Sequence, residues 1–257
     1  MNNNQGKVKS VIKAVCLIDC LAQAKRALTL QELAQRAGYP KSTTHALLAS
    51  LCDSSLVEQS DDGKYRLGVR LFELGNIVSS SWDILYIARM HIQNIAFKTG
   101  ESVQLTTLDK NEVLVLETED SNNALRVMMK AGSRMPSYCT APGKAMLAFL
   151  PEEKVKTILH ATKIYAFTPH TYVEPDKLKA ELNAIRESSF AIENGEYRIG
   201  LRAIAAPIFD ITGAPKYAIG VYGMYRRITD DDFILAQGLV QVAAKTISQE
   251  LGYKDYL

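Results

Sequence analysis

Two short amphipathic runs stand between Thr29 and Leu51, separated by Gly38, Tyr39 and Pro40. Leu30, Leu33, Ala34 and Ala37 recur at helical spacing in the first, and Leu47, Leu48 and Leu51 face inward in the second. Thr29 and Glu32 form a capping box, in which the hydroxyl accepts from one orphan backbone N–H and the carboxylate from another. Gly38 can close the first helix, and Pro40 stands where the next would begin. The pattern predicts two helices joined by a tight turn, with Lys41, Ser42, His45, Ala46 and Ala49 on the outer face of the second. Short or polar side chains at a helix N-terminal end can approach phosphates and base edges without steric conflict, as a helix-turn-helix requires. A plain helical hairpin in a core is the alternative.

The segment after Leu51 favours the helix-turn-helix. Leu56 to Gln59 and Lys64 to Leu67 read as two strands joined at Ser60-Asp61-Asp62-Gly63, and Asp-Gly is a strong hairpin signal. Lys64 and Arg66 would make that hairpin a wing able to lie along phosphates. Before the pair, Val8 to Leu21 reads as a helix whose stripe of Val8, Val11, Ile12, Val15, Ile18 and Leu21 would pack on it, giving a winged module over residues 1–68. Leu71, Leu74, Val78 and Leu85 then trace a narrow stripe, expected of a linker helix over 69–82 that contributes to a dimer.

From 83 to 257 the period alternates between helix and strand. A helix over Asp83 to Lys98 precedes strands at Val103-Leu105, Val113 to Leu116 and Leu125 to Met129. Helices come next at Ala141 to Phe149, Glu152 to His160 and Pro175 to Ser188, then strands at Gly200 to Phe209 and Tyr217 to Met224. A last helix opens at Thr229, with Asp230, Asp231 and Asp232 on the positive end of its dipole, and runs to Leu251. Strands, helices, strands and a closing helix describe an α+β domain with a mainly antiparallel sheet.

Charge sharpens this division. The 257 residues carry a net charge of +2, yet residues 1 to 70 hold ten Lys/Arg against six Asp/Glu. A basic head on a mildly acidic body suits DNA binding. No signal peptide or membrane-spanning run is visible, so a cytoplasmic location is expected. Cys16, Cys20, Cys52 and Cys139 form no CxxC pair; Cys16 and Cys20 could share a metal, and the alternative is that they are small buried hydrophobes. Catalytic signatures are lacking: there is no GxSxG or HExxH, and Gly143-Lys144 fails the P-loop pattern, with Tyr138 and Ala145 at two required positions. No enzyme activity and no cofactor are expected.

The segments LQELAQRAGYPKSTTHALLASL, DGKYRLG, YCTAPGKAMLAFLP and ENGEYRIGLRAIAAPIFD, in this order, resemble the IclR family of bacterial transcription regulators over nearly the whole chain. The resemblance implies a winged helix-turn-helix, a linker helix and a GAF-like effector-binding domain. It also implies dimers or dimers of dimers on a palindromic operator, usually as repressors. DNA contacts then fall on Lys41, Ser42, Thr43, Thr44, His45, Lys64 and Arg66, with Ala46 where the family commonly has Arg. The effector pocket falls on Met128, Ala141, Pro142, Gly143, Glu193, Ala203, Gly220 and Tyr222. Ala203 replaces a cysteine, and Gly220 and Tyr222 replace serines, so no metal is expected and the polar lining is rebuilt.

The start of the helix at Ala141 to Lys144 offers backbone N–H groups to a carboxylate, and Glu193 and Tyr222 suit hydroxyls, so a small organic or sugar acid is the expected effector. Lys144 is either part of that site or a solvated surface lysine, and Met128 and Met135 either adaptable walls or core. The rival reading is a winged helix that binds protein, attached to a sensor that no longer binds a ligand.

Overall fold

The computed structural model describes residues 8–80, 83–120, 129–224 and 229–254. It divides into two compact units, Met1–Trp82 and Asp83–Leu257.

The smaller unit holds α1 (Lys9–Ala24), α2 (Leu30–Ala37), α3 (Lys41–Asp53), β1 (Val57–Gln59), β2 (Tyr65–Leu67) and α4 (Val69–Ser80). The Thr29–Glu32 capping box is formed in both directions, and Gly38 ends α2 at a φ of 70°. β1 and β2 pair antiparallel, with Glu58 opposite Arg66, and Leu28 bridges to Tyr65. The core consists of Leu17, Leu21, Leu28, Leu33, Leu48, Leu51, Val57 and Tyr65. Gly68 runs so close to the backbone of Ser55 and Leu56 that any Cβ would overlap it, which places a glycine at the exit of the wing.

One expectation for α1 is corrected. Val8, Val11, Ile12 and Val15 are exposed, Val11 by 60%, whereas Leu17 and Leu21 are the buried pair, with Ala14, Ile18 and Ala24 partly buried beside them. The helix carries two apolar stripes that share Ile18 and Leu21, and spacing alone does not say which faces inward. The linker stripe is also broader than expected. Val69, Phe72, Leu74, Ile77 and Val78 are all exposed on α4, and Leu85 lies on the following helix in the larger unit.

The larger unit starts with α5 (Asp83–Thr99) and is built on a six-stranded sheet. Its strands are β3 (Ser102–Asp109), β4 (Glu112–Glu119), β5 (Arg134–Pro136), β6 (Ala191–Asn194), β7 (Leu201–Phe209) and β8 (Pro215–Met224). They lie in the order β5-β4-β3-β8-β7-β6, every neighbour antiparallel. Between β5 and β6 come α6 (Ala141–Ala148), α7 (Glu152–Ala161) and α8 (Pro175–Ser188), and α9 (Asp230–Glu250) closes the unit. α6 packs on β7 and β8, with α8 behind it, while α5 and α9 pack on each other and on the sheet. Successive residues along the middle of β7 and β8 are buried, the mark of a sheet covered on both faces. The strand expected over Leu125 to Met129 lies, but for Met129, outside the described residues, and β4 pairs with the shorter β5. β6 was not expected: four residues with a Glu at the third carry little strand signal.

α6 enters the sheet face by a contact that only glycine permits, since a Cβ on Gly143 would overlap the backbone of Ser137. Gly143→Ala should therefore destabilise the larger unit by at least about 2 kcal/mol, read as a shift in its urea midpoint, because backbone cannot move aside as a side chain can.

Candidate functional site

On α3, Lys41, Ser42, His45, Ala46 and Ala49 are exposed and Thr43 is half-buried. Thr44 is not available to DNA, which corrects its placement in the contact set: its side chain is fully buried and its hydroxyl donates to the Pro40 carbonyl at 3.1 Å. It lies one turn before the buried Leu48 and so faces the core. Lys41 Nζ donates to Gln31 Oε1 at 3.4 Å.

Both wing cations have a carboxylate partner. Lys64 Nζ is 2.6 Å from Asp62 Oδ2, and Arg66 is 2.9 Å from Glu58 Oε2. The hydrogen bond from Lys64, with that from Ser60, holds the Asp62 carboxyl down to about 2. Glu58 is likewise lowered, by the Val69 N–H and then by Arg66. A phosphate must compete with these partners, which are exposed and hence weakly held.

In the larger unit the sheet register brings most of the expected pocket residues together. Glu193 on β6 lies opposite Ala203, Ala203 opposite Tyr222, and Tyr222 opposite Ser102. The next rung on the same face runs Ala191, Ala205, Gly220, Gln104 and Thr118. Ala141, Ala203 and Tyr222 join one core cluster, and Ala141, Pro142 and Gly143 are buried at the start of α6. Met128 lies outside the described residues. Met135 is core, packed with Val113, Val115 and Met146. Gly220 has a steric role, for a Cβ there would meet Ile204 O at 2.8 Å and Ala205 Cβ at 3.0 Å.

This enclosure is polar and incompletely satisfied. Glu193 Oε1 accepts from the Tyr197 N–H at 3.0 Å. Burial pushes its carboxyl up to about 7, against the Tyr197 N–H, Lys144 and the Ala141 N–H, which favour the anion. Burial, with Glu193 nearby, raises the Tyr222 hydroxyl well above its ordinary value. Five polar atoms on these two rungs have no hydrogen-bond partner among the described residues: Glu193 Oε2, Tyr222 Oη, Gln104 Oε1 and Nε2, and Thr118 Oγ1. Such groups are costly to bury unpaired, which sets these two rungs apart from the apolar core around them. Gln104 and Thr118 were missed from sequence because their chemistry lies in register, which pairs them across a strand, and not in any motif.

Lys144 is no surface lysine. Its side chain is fully buried, and Nζ donates to Glu181 Oε1 and Glu196 Oε1, each at 2.5 Å. Burial alone would lower its pKa, but the two carboxylates outweigh burial and raise it. Glu196 is pushed up to about 7 by burial, with Lys144 opposing. Among the described residues no three His, Cys, Asp or Glu side chains converge as metal ligands.

The two raised carboxyls set a pH dependence. With folded values near 7 against an ordinary 4.5, Glu193 and Glu196 keep protons in the folded chain that the unfolded chain has released. Stability of the larger unit should thus fall as pH rises from about 4.5 to about 7, and level off above. Glu193→Gln should make that fall shallower in thermal melts; an unaltered slope would mean that Glu193 titrates as an exposed carboxyl does.

Comparison with known proteins agrees with this architecture. Residues 77–249 match the family model of the bacterial transcriptional regulator IclR C-terminal domain, and residues 10–61 that of the IclR helix-turn-helix domain. The transcriptional repressor IclR of Escherichia coli K12 is 32% identical over 250 residues, covering 96% of this chain and 91% of that protein. The crystal structure of Thermotoga maritima IclR superposes with a TM-score of 0.79 at 28% identity, covering 95% of this chain and 99% of that one. An IclR homolog from Microbacterium hydrocarbonoxydans, complexed with 4-hydroxybenzoate, shares the fold with a TM-score of 0.83 at 24% identity, covering 94% and 98%. The helix-turn-helix head, the antiparallel sheet with its helices and these matches lead to one conclusion: the chain belongs to the IclR family of DNA-binding bacterial transcription regulators.

Proposed function

We propose that this chain is a cytoplasmic, metabolite-responsive repressor that binds a palindromic operator as a homodimer or homotetramer and takes a small organic or sugar acid in the enclosure beneath α6. The observation that carries the ligand part is the set of five unpartnered polar atoms on two adjacent rungs. Hydroxyls of a sugar acid would meet Glu193 Oε2, Tyr222 Oη and the Gln104 amide, and its carboxylate would lie towards the start of α6. With its carboxyl pushed up to about 7, Glu193 repels an anion there less than an ordinary carboxylate would. The relatives bear the names of regulators, including repressors, which supports regulation over catalysis. No helix among the described residues is long and apolar enough to cross a membrane.

The homodimer reading is supported by the smaller unit. Val8 at the N-cap of α1, Val11, Ile12 and Val15 on α1 and Phe72 and Ile77 on α4 are large apolar side chains exposed to water, the kind of surface an association covers. A second copy of the same chain would cover it, and two heads suit a palindrome. Val11→Asp with Val15→Asp should shift sedimentation towards the monomer, while the exposed positions leave the head folded; an unaltered association state would place the interface elsewhere.

The DNA reading rests on the exposed α3 face with Lys41 and His45. In fluorescence anisotropy on the DNA beside its own gene, binding should weaken steeply with salt. Lys41→Ala with His45→Ala should abolish the preference for that DNA over unrelated sequence. Asp62→Asn, which frees Lys64, should tighten binding and steepen the salt slope by about one counterion. No binding at low salt would favour a protein-binding winged helix, and no thermal shift with any small acid would favour a ligand-free sensor.

A further inference from the structure

The cluster around Lys144 holds more negative than positive charge. Glu181, Glu193 and Glu196 surround one ammonium, and the Oε2 atom of each has no hydrogen-bond partner among the described residues. Cys139 and Tyr222, the other titratable groups against the cluster, are kept neutral by burial and supply no counter-charge. Buried charge of one sign is costly until protons or an opposite charge meet it. Protons meet part of it, as the raised Glu193 and Glu196 carboxyls indicate. A second cation would meet it more fully.

There is room for one. A cavity of about 640 Å³ opens beside the cluster, with Glu181 and Glu196 in its lining and a wall that includes Ala166, Thr171 and Tyr172. That is the size of a small-molecule site. Glu196 is nine-tenths buried or more, while Glu181 is about one-fifth exposed and gives the cluster its face to the cavity. The Tyr172 ring stands 6.0 Å from Lys144 Nζ, so an aromatic face already lies within reach of positive charge. At the rim Lys177 is paired with Glu174 at 3.0 Å, and the pair adds no net charge; His170 completes the rim. A metal ion fits poorly, because no three ligating side chains converge here among the described residues. A flat or branched nitrogen cation fits better, since its several N–H donors can serve two carboxylates at once.

We propose that this cavity is a second small-molecule site, separate from the enclosure beneath α6, which takes an organic ammonium or guanidinium ion at Glu181 and Glu196 with its carbon chain along Tyr172. It draws on the charge of Glu181 and Glu196, whose Oε2 atoms are buried and unpartnered among the described residues and turn to the guest as the partly exposed Glu181 side chain rotates, and it leaves Lys144 in place. The site goes beyond the sugar-acid reading and does not depend on it, since its lining holds no residue of the DNA face or of the two sheet rungs, and Glu193 adds to its charge whether or not an acid binds beside it.

The test is isothermal titration of the full chain with agmatine, which carries a guanidinium and an ammonium. 1,4-Butanediol serves as the uncharged control and sodium chloride as the match for ionic strength. Saturable binding of one agmatine per chain is expected, with none for the diol. Glu181→Gln and Glu196→Gln should each weaken it roughly tenfold or more, the worth of a hydrogen bond to a charged group. Ala166→Trp, which fills the cavity from an exposed wall without altering a charge, should abolish it. Should Glu196→Gln lose its folded circular dichroism, the other two variants decide. Heat no greater than that of the salt, or affinity unchanged in Glu181→Gln and Ala166→Trp, would overturn the proposal while leaving DNA binding and acid response to stand on their own assays.

Discussion

The ammonium of Lys144 joins three pieces of the larger unit at one buried point: α6, which carries it, α8 through Glu181, and the turn after β6 through Glu196. Taking an ion pair out of water costs several kcal/mol per ion, so such a contact is weak as a source of stability and strong as a constraint on geometry. Its value here is positional. With α6 pinned, Ala141 and its N–H are set against Glu193, and the small residues Ala203 and Ala205 pack in one cluster with Ala141 and Ala145 of the helix. α6 is thus held against the sheet by a charge on one side and by the close approach of Gly143 to Ser137 on the other.

The smaller unit uses charge in the opposite way. Its pairs, Lys64 with Asp62, Arg66 with Glu58, Arg26 with Glu32 and Arg70 with Glu73, are exposed and exchangeable. Their contribution to folding is small, but they set what the wing offers to a polyanion. Asp62 serves the hairpin turn and neutralises the neighbouring lysine, and Glu58 holds both Arg66 and the first N–H of α4. The wing is therefore less positive than its lysine and arginine suggest. More of the DNA contact then falls on α3, where Ala46 offers no charge and Lys41 and His45 stand exposed.

Much of this was legible in the sequence because it rests on local rules. The Thr29–Glu32 box, the Gly38 stop and the Asp-Gly hairpin each depend on residues within one turn or loop, the helix Pro175–Ser188 on periodicity along one segment, and each formed where expected. The choice between two apolar faces of α1, the burial of Thr44 and the pairing of the wing cations depend on what lies across space, to which periodicity is blind. The same holds for the enclosure. The family resemblance gathered Glu193, Ala203, Gly220 and Tyr222, but Gln104 and Thr118 join them only through strand register. Lys144 was readable as a surface residue or a site residue until α8 and the turn at Glu196 closed over it.

Register and burial also explain why the proposed effector face and the cavity cannot be electrically independent. Glu193 lies on the first sheet rung and Glu196 in the lining of the cavity, yet both answer to the same ammonium, and each carboxylate raises the cost of charging the other. In a medium of low dielectric such coupling is screened little by salt. A proton on Glu193 eases ionisation of Glu196, and a positive charge beside Glu196 eases ionisation of Glu193. An anion in the proposed enclosure would favour the protonated form of Glu193, which in turn favours an ionised Glu196, the form a cation in the proposed cavity would meet. By linkage the two guests would strengthen each other, through carboxylates that share a lysine and without any movement of the sheet.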